Sequence, residues 1–361
     1  MRHIDRRQLA AVLTPYQRPS TGRSLFELAA TVAPLLALWV AVYLSAAHGW
    51  WWGVALSVPA GMFLVRLFMI QHDCGHLSFF ANAAANRWIG RAIGVVTMTP
   101  FEYWRRTHAI HHATSGNLDR RRLGAIETMT TAEYRASPPH RRLAYRLYRH
   151  PLILLGVGPS YMFLLQHRLP VGAFREAWAW RSVLGTNVVL AIASAVLIAL
   201  AGPVAVAVAH LSVMVVAATI GVWLFYVQHQ FEESYWARDV EWDPAQAALA
   251  GCSHLHLPPP LAWLTAHIGA HHIHHASTRV PFYRLPQVLK SEPIFRNAPV
   301  VRPSQSLRLL GLALWDEGNQ RLISFRAARG SRGQDGMGGR AAGGCVAGAA
   351  AGDVTDQPPR W

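Results

Sequence analysis

The chain has 361 residues, of which 52% are hydrophobic and only 15% are charged. This composition is too apolar for an ordinary soluble enzyme, and three widely spaced cysteines exclude a disulfide framework or a zinc ribbon. The formal net charge of +15 comes almost entirely from arginine, since Lys290 is the only lysine, and such a charge suits either a nucleic-acid-binding protein or the basic loops of a membrane protein.

Two apolar runs, 28–47 and 53–70, follow a basic N-terminal segment. Residues 1–24 hold five arginines and are predicted to form a cytoplasmic head. The stretch HGWWWG joins the two runs without any Lys or Arg. Each run is close to the roughly 20 residues that a helix needs to cross a bilayer. They are therefore predicted to form a first transmembrane hairpin, with Arg66 reaching out to the cytoplasmic side.

A second pair of apolar runs, 182–201 and 203–228, meets at the short joint AGP and is predicted to form a second hairpin. The segments outside the hairpins carry the basic charge, with fifteen arginines in 71–181 and eight in 229–326. Positively charged loops remain in the cytoplasm, so both termini and these two segments are predicted to lie there. The charge therefore needs no nucleic-acid partner to explain it.

These runs predict an all-α integral membrane protein with four transmembrane helices in two hairpins and a cytoplasmic helical cap. Residues 25–326 are predicted to form this membrane domain. Residues 327–361 consist mostly of Gly, Ala, Arg and Ser, a composition that cannot bury a core, and they are predicted to be a disordered tail.

Histidines gather on the predicted cytoplasmic side at helical spacing. QHDCGH follows the second span, the next loop carries HxxHH, YVQHQ ends the fourth span, and a later loop carries HHIHH. Residues three or four apart share one helix face, where neutral imidazoles can act together as ligands for zinc or iron. Nine imidazoles are too many for one ion and suit two, so the cap is predicted to hold a His-rich di-metal site. The candidate ligands are His72, His76, His108, His111, His112, His229, His271, His274 and His275.

The combination of HxxxH, HxxHH and HxxHH over four spans resembles the membrane fatty acid desaturase superfamily. The likeness covers roughly residues 25–325. Longer stretches are similar to the bacterial branch near the acyl-lipid omega-6 (delta-12) desaturases, namely QHDCGHLSFF, WRRTHAIHHATSGNLDRR, YRLYRHP, YVQHQFEESYW and IGAHHIHH. The resemblance implies an enzyme that introduces a cis double bond into a long acyl chain, using a histidine-bound di-iron centre with O2 as co-substrate.

At single positions, the resemblance implies that all nine candidates bind iron, with His229 as the additional histidine after the fourth span. His272 would be a spacer. Three residues depart from the family's pattern: Leu77 where Gly is expected, Ala125 where Asp is usual, and His267 where Asn is expected. Carboxylates near the boxes are candidates to hold the ligand imidazoles in place. They are Asp73, Glu102, Asp119, Glu232 and Glu233.

The resemblance also implies partners and a location. An acyl lipid or another acyl carrier would enter from the bilayer, and a ferredoxin or similar donor would supply electrons. No HPGG haem-binding motif is visible, so the donor is expected to be a separate protein. The expected location is the bacterial inner (cytoplasmic) membrane, with several passes and the active site on the cytoplasmic side.

Two other functions stay open at this point. A membrane di-iron hydroxylase or monooxygenase that acts on an alkane, lipid or carotenoid would carry similar histidine boxes. A metal transporter or a membrane cytochrome b would need ligands at mid-membrane depth. Only His210 lies well inside a predicted span.

Overall fold

Helices form most of the part of the chain that the computed structural model describes, residues 6–121 and 124–330. Residues 1–5 of the predicted head and 331–361 of the predicted tail lie outside the described residues. In chain order the helices are α1 (Arg6–Leu13), α2 (Thr21–Ala47), α3 (Ser57–Gly75), α4 (Ala83–Val96), α5 (Phe101–Thr114), α6 (Thr131–Ala136), α7 (Pro139–Tyr148), α8 (Gly158–Leu164), α9 (Ala177–Ala201), α10 (Pro203–His229), α11 (Pro244–Leu249), α12 (Pro259–Leu264), α13 (His271–Ala276), α14 (Leu285–Ser291), α15 (Pro303–Leu309) and α16 (Ala327–Gly330). The strands are β1 (Met129–Thr130), β2 (His254–Leu255), β3 (Val300–Val301), β4 (Leu312–Asp316) and β5 (Arg321–Ser324).

Helices α2, α3, α9 and α10 are long and apolar enough to cross a membrane, and they form the two predicted hairpins. A 3₁₀ segment, Trp51–Leu56, extends the start of α3. Gly202 joins α9 to α10 at a φ of +79°, which glycine adopts without steric cost. Helix α2 begins at Thr21 instead of residue 28, because the Ser20 side chain caps it and its polar first turns pack against the cap. The prediction of a mostly helical membrane protein is confirmed.

Helix α3 packs between α2 and α10, whereas α9 lies at the edge of the bundle. A Cβ added at Gly61 would lie 2.5 Å from Val216, so this glycine permits the close approach of α3 to α10. Helix α9 exposes apolar side chains at intervals of about one turn. They are Leu184, Val188, Ile192, Val196 and Leu200. This face is suited to lipid, since hydrocarbon chains are its only favourable surroundings.

Arg66 is fully buried, which differs from the expectation that it reaches towards water. Its guanidinium pairs with the carboxylate of Glu27 on α2 and donates through Nε to Thr31 Oγ1 at 3.1 Å. The same group donates to the Trp263 carbonyl of α12 and lies 3.9 Å from the centre of the Trp263 ring. A buried charge requires such partners. Arg66 therefore ties two membrane helices to the cap.

The N-terminal segment packs onto the cap rather than hanging free of it. Leu9 and Leu13 of α1 are buried. The Tyr16 hydroxyl donates to the Glu292 carboxylate at 2.7 Å. The backbone N–H of Ser20 donates to the Tyr283 hydroxyl at 2.9 Å. The first described residues thus stabilise elements that follow the last histidine box.

Two small sheets in the cap were not predicted. Strand β4 pairs in parallel with β1 and antiparallel with β5, and β2 pairs in parallel with β3. Strands of two to five residues are too short to display a period-2 pattern in the sequence.

Arg149 joins α7 to the end of α10. It is only 3% exposed, and it donates to Gln230 Oε1 at 2.8 Å and to the Leu312 carbonyl at 2.7 Å. A π-helical turn, Leu152–Val157, and α8 then run along α10. There the Thr219 hydroxyl donates to the Leu155 carbonyl at 2.8 Å. The bond from Arg149 holds Gln230, the residue next to His229, in place.

Candidate metal centre

Two membrane helices present histidines where they enter the cap. Helix α3 continues past the predicted end of its span at residue 70, so His72 lies on its last full turn and His76 caps its C-terminus. Their spacing of four residues places both rings on one helix face. Helix α10 ends at His229. Both helices therefore carry ligand candidates just beyond their apolar spans.

The two HxxHH boxes lie on short cap helices. His108, His111 and His112 lie on α5, which packs against α9, α3 and α4. Helix α13 begins at His271 and ends at Ala276, so the whole helix is little more than the second box. In both boxes the rings point toward the ends of α3 and α10.

The nine candidate imidazoles form two separate groups in the structure. Within each group the donor nitrogens lie within 4.8 Å of one another. The first group contains His72, His76, His108, His112 and His274. The second group contains His111, His229, His271 and His275. Each HxxHH box contributes to both groups, because the i+3 and i+4 positions diverge around the helix.

Ring nitrogens in each group face one another at short range. In the five-histidine group, His112 Nε2 is 3.0 Å from the Nε2 atoms of His108 and His274. In the four-histidine group, His271 Nε2 is 2.9 Å from His229 Nε2. Nitrogens around a tetrahedral ion lie about 3.4 Å apart, given metal–nitrogen distances near 2.1 Å. The observed nitrogen–nitrogen separations of 2.9 and 3.0 Å are close to the separation expected for ligands of one ion. The two groups adjoin, since the His112 and His275 ring centres are 4.2 Å apart.

Burial keeps these imidazoles neutral. It lowers the pKa of His111 to about 3, and it holds the pKa values of His108 and His275 well below the usual range. Neighbouring imidazoles lower these pKa values further, since a second positive charge would be repelled. At neutral pH each ring therefore keeps a lone pair for a metal ion.

Several buried ring nitrogens have no hydrogen-bond partner among the described residues. Among the candidate ligands they include His76 Nε2, His275 Nε2 and both ring nitrogens of His111, whereas His112 Nδ1 and His271 Nδ1 lie on the far side of rings whose Nε2 atoms face the groups. Buried polar atoms are normally satisfied, so a concentration of orphans in one place indicates a missing partner. A metal ion binds the lone pair of an unprotonated ring nitrogen. The donor set therefore fits a metal centre.

Asp73 is the carboxylate that holds a ligand candidate. It is buried, its Oδ1 lies 3.2 Å from His72 Nδ1, and its Oδ2 accepts from the Phe282 N–H at 2.7 Å. A carboxylate at Nδ1 fixes the tautomer so that Nε2 carries the lone pair. The other four carboxylates that were candidates to hold a ligand imidazole make surface ion pairs with arginines or lie exposed. They are Glu102, Asp119, Glu232 and Glu233.

His272 lies outside both groups. Its Nε2 donates to the Phe295 carbonyl at 3.0 Å, and its ring is fully buried on the opposite side of α13. The spacer interpretation of this residue agrees with its position.

The sequence profile of the family described as fatty acid desaturase matches residues 49–301 of this chain, more than half of its length. The chain is a member of the fatty acid desaturase family. A Bacillus subtilis protein named fatty acid desaturase is 39% identical over 323 residues, covering 90% of this chain and 92% of the relative. The desaturase is thus an oxidoreductase with a metal centre and several passes through the membrane.

Two cyanobacterial relatives carry more specific names. A Synechocystis sn-1 oleoyl-lipid 12-desaturase is 27% identical to this desaturase over 245 residues, covering 62% of this chain and 64% of the relative. A Synechocystis sn-1 acyl-lipid omega-3 desaturase (ferredoxin) is 36% identical over 104 residues, covering 28% of each chain.

Sequence reasoning missed three neighbours of the metal centre. The Trp104 indole stacks on the His108 ring with centres 4.7 Å apart. The Phe225 ring lies 5.0 Å from both the His111 and His229 rings. Cys252 Sγ lies 3.7 Å from His229 Nδ1. Trp104 and Phe225 each precede a candidate ligand by four residues, a spacing that could have revealed them. Nothing near Cys252 in the sequence indicates that it lies beside His229.

Two departures from the family's pattern fall at positions with left-handed backbone. Leu77 has a φ of +57° and His267 a φ of +54°. Glycine and asparagine tolerate this region, and histidine is also enriched there. His267 is therefore a mild replacement for Asn, whereas Leu77 is strained. Ala125 lies in a bend near Gly124 and lines a small cavity beside His111.

We expect Leu77→Gly to stabilise the desaturase by about 1 kcal/mol, because the strain of a non-glycine residue in this region disappears. Leu77 ends α3 in a Schellman motif, in which its N–H donates to the Cys74 carbonyl at 3.1 Å and the Ser78 N–H donates to Asp73 at 3.0 Å. Thermal unfolding in detergent measures the change. Leu77→Ala, which keeps the strain, is the control and should not raise the Tm.

Proposed function

We propose that the desaturase binds two iron ions through its nine clustered histidines and uses O2 to place a cis double bond in a lipid-linked acyl chain. The observation that carries this proposal is the division of nine buried or half-buried imidazoles into adjoining groups of five and four. Iron accepts imidazole ligands readily. When bound, the iron pair supplies the oxidant from O2 that can break an unactivated methylene C–H bond.

The chain's own residues orient the ligands and exclude water. Asp73 holds His72 in one tautomer and is itself held by the Phe282 backbone. Trp104 lies against His108 of the five-histidine group, and Phe225 lies against His229 of the four-histidine group. An apolar lining of this kind suits a methylene chain and restricts access of water.

The relatives support a more specific substrate. Because a 12-desaturase named for oleoyl lipid aligns with 62% of this chain, we propose a monounsaturated acyl lipid as substrate and a diunsaturated product. A relative named for ferredoxin supports a separate ferredoxin-like electron donor. The metal-transporter and cytochrome alternatives lose support, because the mid-membrane His210 bonds to Tyr43 and packs on Trp39.

The product of the purified enzyme distinguishes desaturation from hydroxylation. With an oleoyl lipid, O2 and reduced ferredoxin, we expect the acyl chain to lose two hydrogens, as measured by mass spectrometry. A His275→Ala variant supplies the matched inactive control. A dominant product that gains one oxygen would instead identify a hydroxylase with the same metal centre.

We further propose that residues 25–326 form the catalytic membrane domain of an inner-membrane protein whose histidine boxes and termini face the cytoplasm. The basic cap supports this orientation by the positive-inside rule. In a cysteine-free background, we expect cysteines placed at the exposed hairpin positions His48 and Val204 to react with an impermeant reagent from the periplasm.

Cysteines at His140 and Ser304, which are exposed on the cap, should react only after the membrane is opened. Labelling of His140→Cys in intact cells would contradict the orientation.

A further inference from the structure

A basic groove of about 350 Å³ lies outside the metal centre, between α6, α7, α16 and the β4–β5 hairpin. Four guanidinium groups and an apolar floor line it. The residues that define this arginine groove are Arg135, Arg142, Arg146, Arg329, Leu143 and Phe325. No carboxylate is among the described residues that line the groove. Its size is that of a site for a small molecule or a lipid headgroup.

The groove presents positive charge in a prepared geometry. Arg142 and Arg146 are one turn apart on α7 and share a face. Arg146 donates to the Tyr134 hydroxyl and its guanidinium lies 5.1 Å from the Phe325 ring centre, so its position is held by neighbours. Like charges on one face repel each other, and an anion bound between them would relieve this repulsion. Guanidinium groups bind phosphate through paired hydrogen bonds.

Exposed leucines lie along the chain between the groove and the π-helical turn that contacts α10. Leu143 and Leu147 on α7 are 59% and 55% exposed, and Leu152 on the following turn is 72% exposed. That turn runs along α10, one of the four membrane-spanning helices. Leucines exposed in succession beside arginines are typical of a surface that lies in the headgroup and acyl boundary of a bilayer. If the groove instead bound an acidic soluble protein, these leucines would stay exposed to water.

We propose that the arginine groove binds the phosphate headgroup of an anionic phospholipid while the leucines of α7 lie in the acyl region. A zwitterionic lipid offers the same phosphate but also a cation, which Arg142, Arg146 and Arg329 repel. The groove should therefore prefer phosphatidylglycerol to phosphatidylcholine. Basic pockets of this kind beside membrane helices recognise anionic headgroups.

The test measures binding of short-chain phosphatidylglycerol to the purified full-length chain in a non-ionic detergent, by the shift in Tm during titration. We expect saturable stabilisation by phosphatidylglycerol and little by phosphatidylcholine. The double variant Arg142→Gln/Arg329→Gln should bind phosphatidylglycerol roughly 25-fold more weakly, from a loss of about fivefold for each arginine. Metal content and desaturation do not enter this measurement, so its outcome is independent of the proposed catalytic function.

The matched control is Arg141→Gln/Arg326→Gln. It removes the same charge from the same two segments, but neither residue lines the groove. Wild-type affinity in the groove variant, or equal losses in both variants, would overturn the proposal. Competition by inorganic phosphate at concentrations equal to those of the lipid would reveal a free-phosphate site instead. Loss of ferredoxin binding in the groove variant with unchanged lipid binding would assign the groove to the electron donor.

Discussion

Replacing His112 by alanine is expected to lower bound iron and to reduce desaturation by roughly 100-fold or more, since even partners of metal ligands cost about 10- to 100-fold when removed. His112 lies where the two groups adjoin. Its Nε2 lies 3.0 Å from two others of the five-histidine group, and its ring lies against His275 of the four-histidine group. Iron analysis of the purified variant and product analysis by mass spectrometry measure the two effects.

The matched control is His272→Gln on α13. Its amide can still donate to the Phe295 carbonyl that accepts from the imidazole, and the residue lies outside both groups. It should keep its iron and most of its activity. Helix content and Tm should be measured for both variants, so that unfolding is recognised. Full iron content and full activity in His112→Ala would remove this residue from the metal centre.

Arg66→Met is expected to lower the free energy of unfolding by about 3–5 kcal/mol, because the buried Glu27 carboxylate loses its buried partner and keeps only the half-exposed Arg23. Glu27 is 1% exposed and Arg66 is fully buried. Equilibrium unfolding in mixed micelles measures this change. Loss of the bond to the Trp263 carbonyl also frees the chain that leads into α13, so bound iron should fall as well.

Two further variants separate the charge effect from simple loss of packing. Arg23 also pairs with Glu27, at 2.7 Å, but its side chain is 50% exposed, so Arg23→Met should cost at most about 1 kcal/mol. The double variant Glu27→Leu/Arg66→Met removes both buried charges and should regain most of the stability. If the double variant were as unstable as Arg66→Met, the cost would lie in packing and not in an unpaired carboxylate.

The membrane helices and histidine boxes could be predicted because their signals are local. Apolar runs of about 20 residues identify the spans, and intervals of three and four residues place ring nitrogens on one face. The joint at Gly202 and the end of α10 agree with the prediction to within one residue. Those patterns depend on covalent spacing alone, which tertiary contacts do not alter.

The rest depends on contacts between distant segments. Nothing near Arg66 in the sequence indicates that this residue is buried and paired with Glu27, 39 residues away. The division of the nine histidines into groups of five and four likewise depends on how α5 and α13 are placed relative to each other. The spacing within either HxxHH box does not reveal it. Asp73 could be singled out from four other carboxylates only when its contact with Phe282, 209 residues away, was known.

The long separation of the interacting segments determines the order in which the molecule can mature. His112 and His274, which meet in one group, are 162 residues apart, and Tyr16 meets Glu292 across 276 residues. Contacts of such long range form late, after shorter loops have closed. A nascent chain that has been released only as far as the end of α5 therefore holds five of the nine candidate ligands and cannot complete either group. A metal ion can meet the full set of ligands of either group only when the second hairpin has been inserted and α13 has left the ribosome.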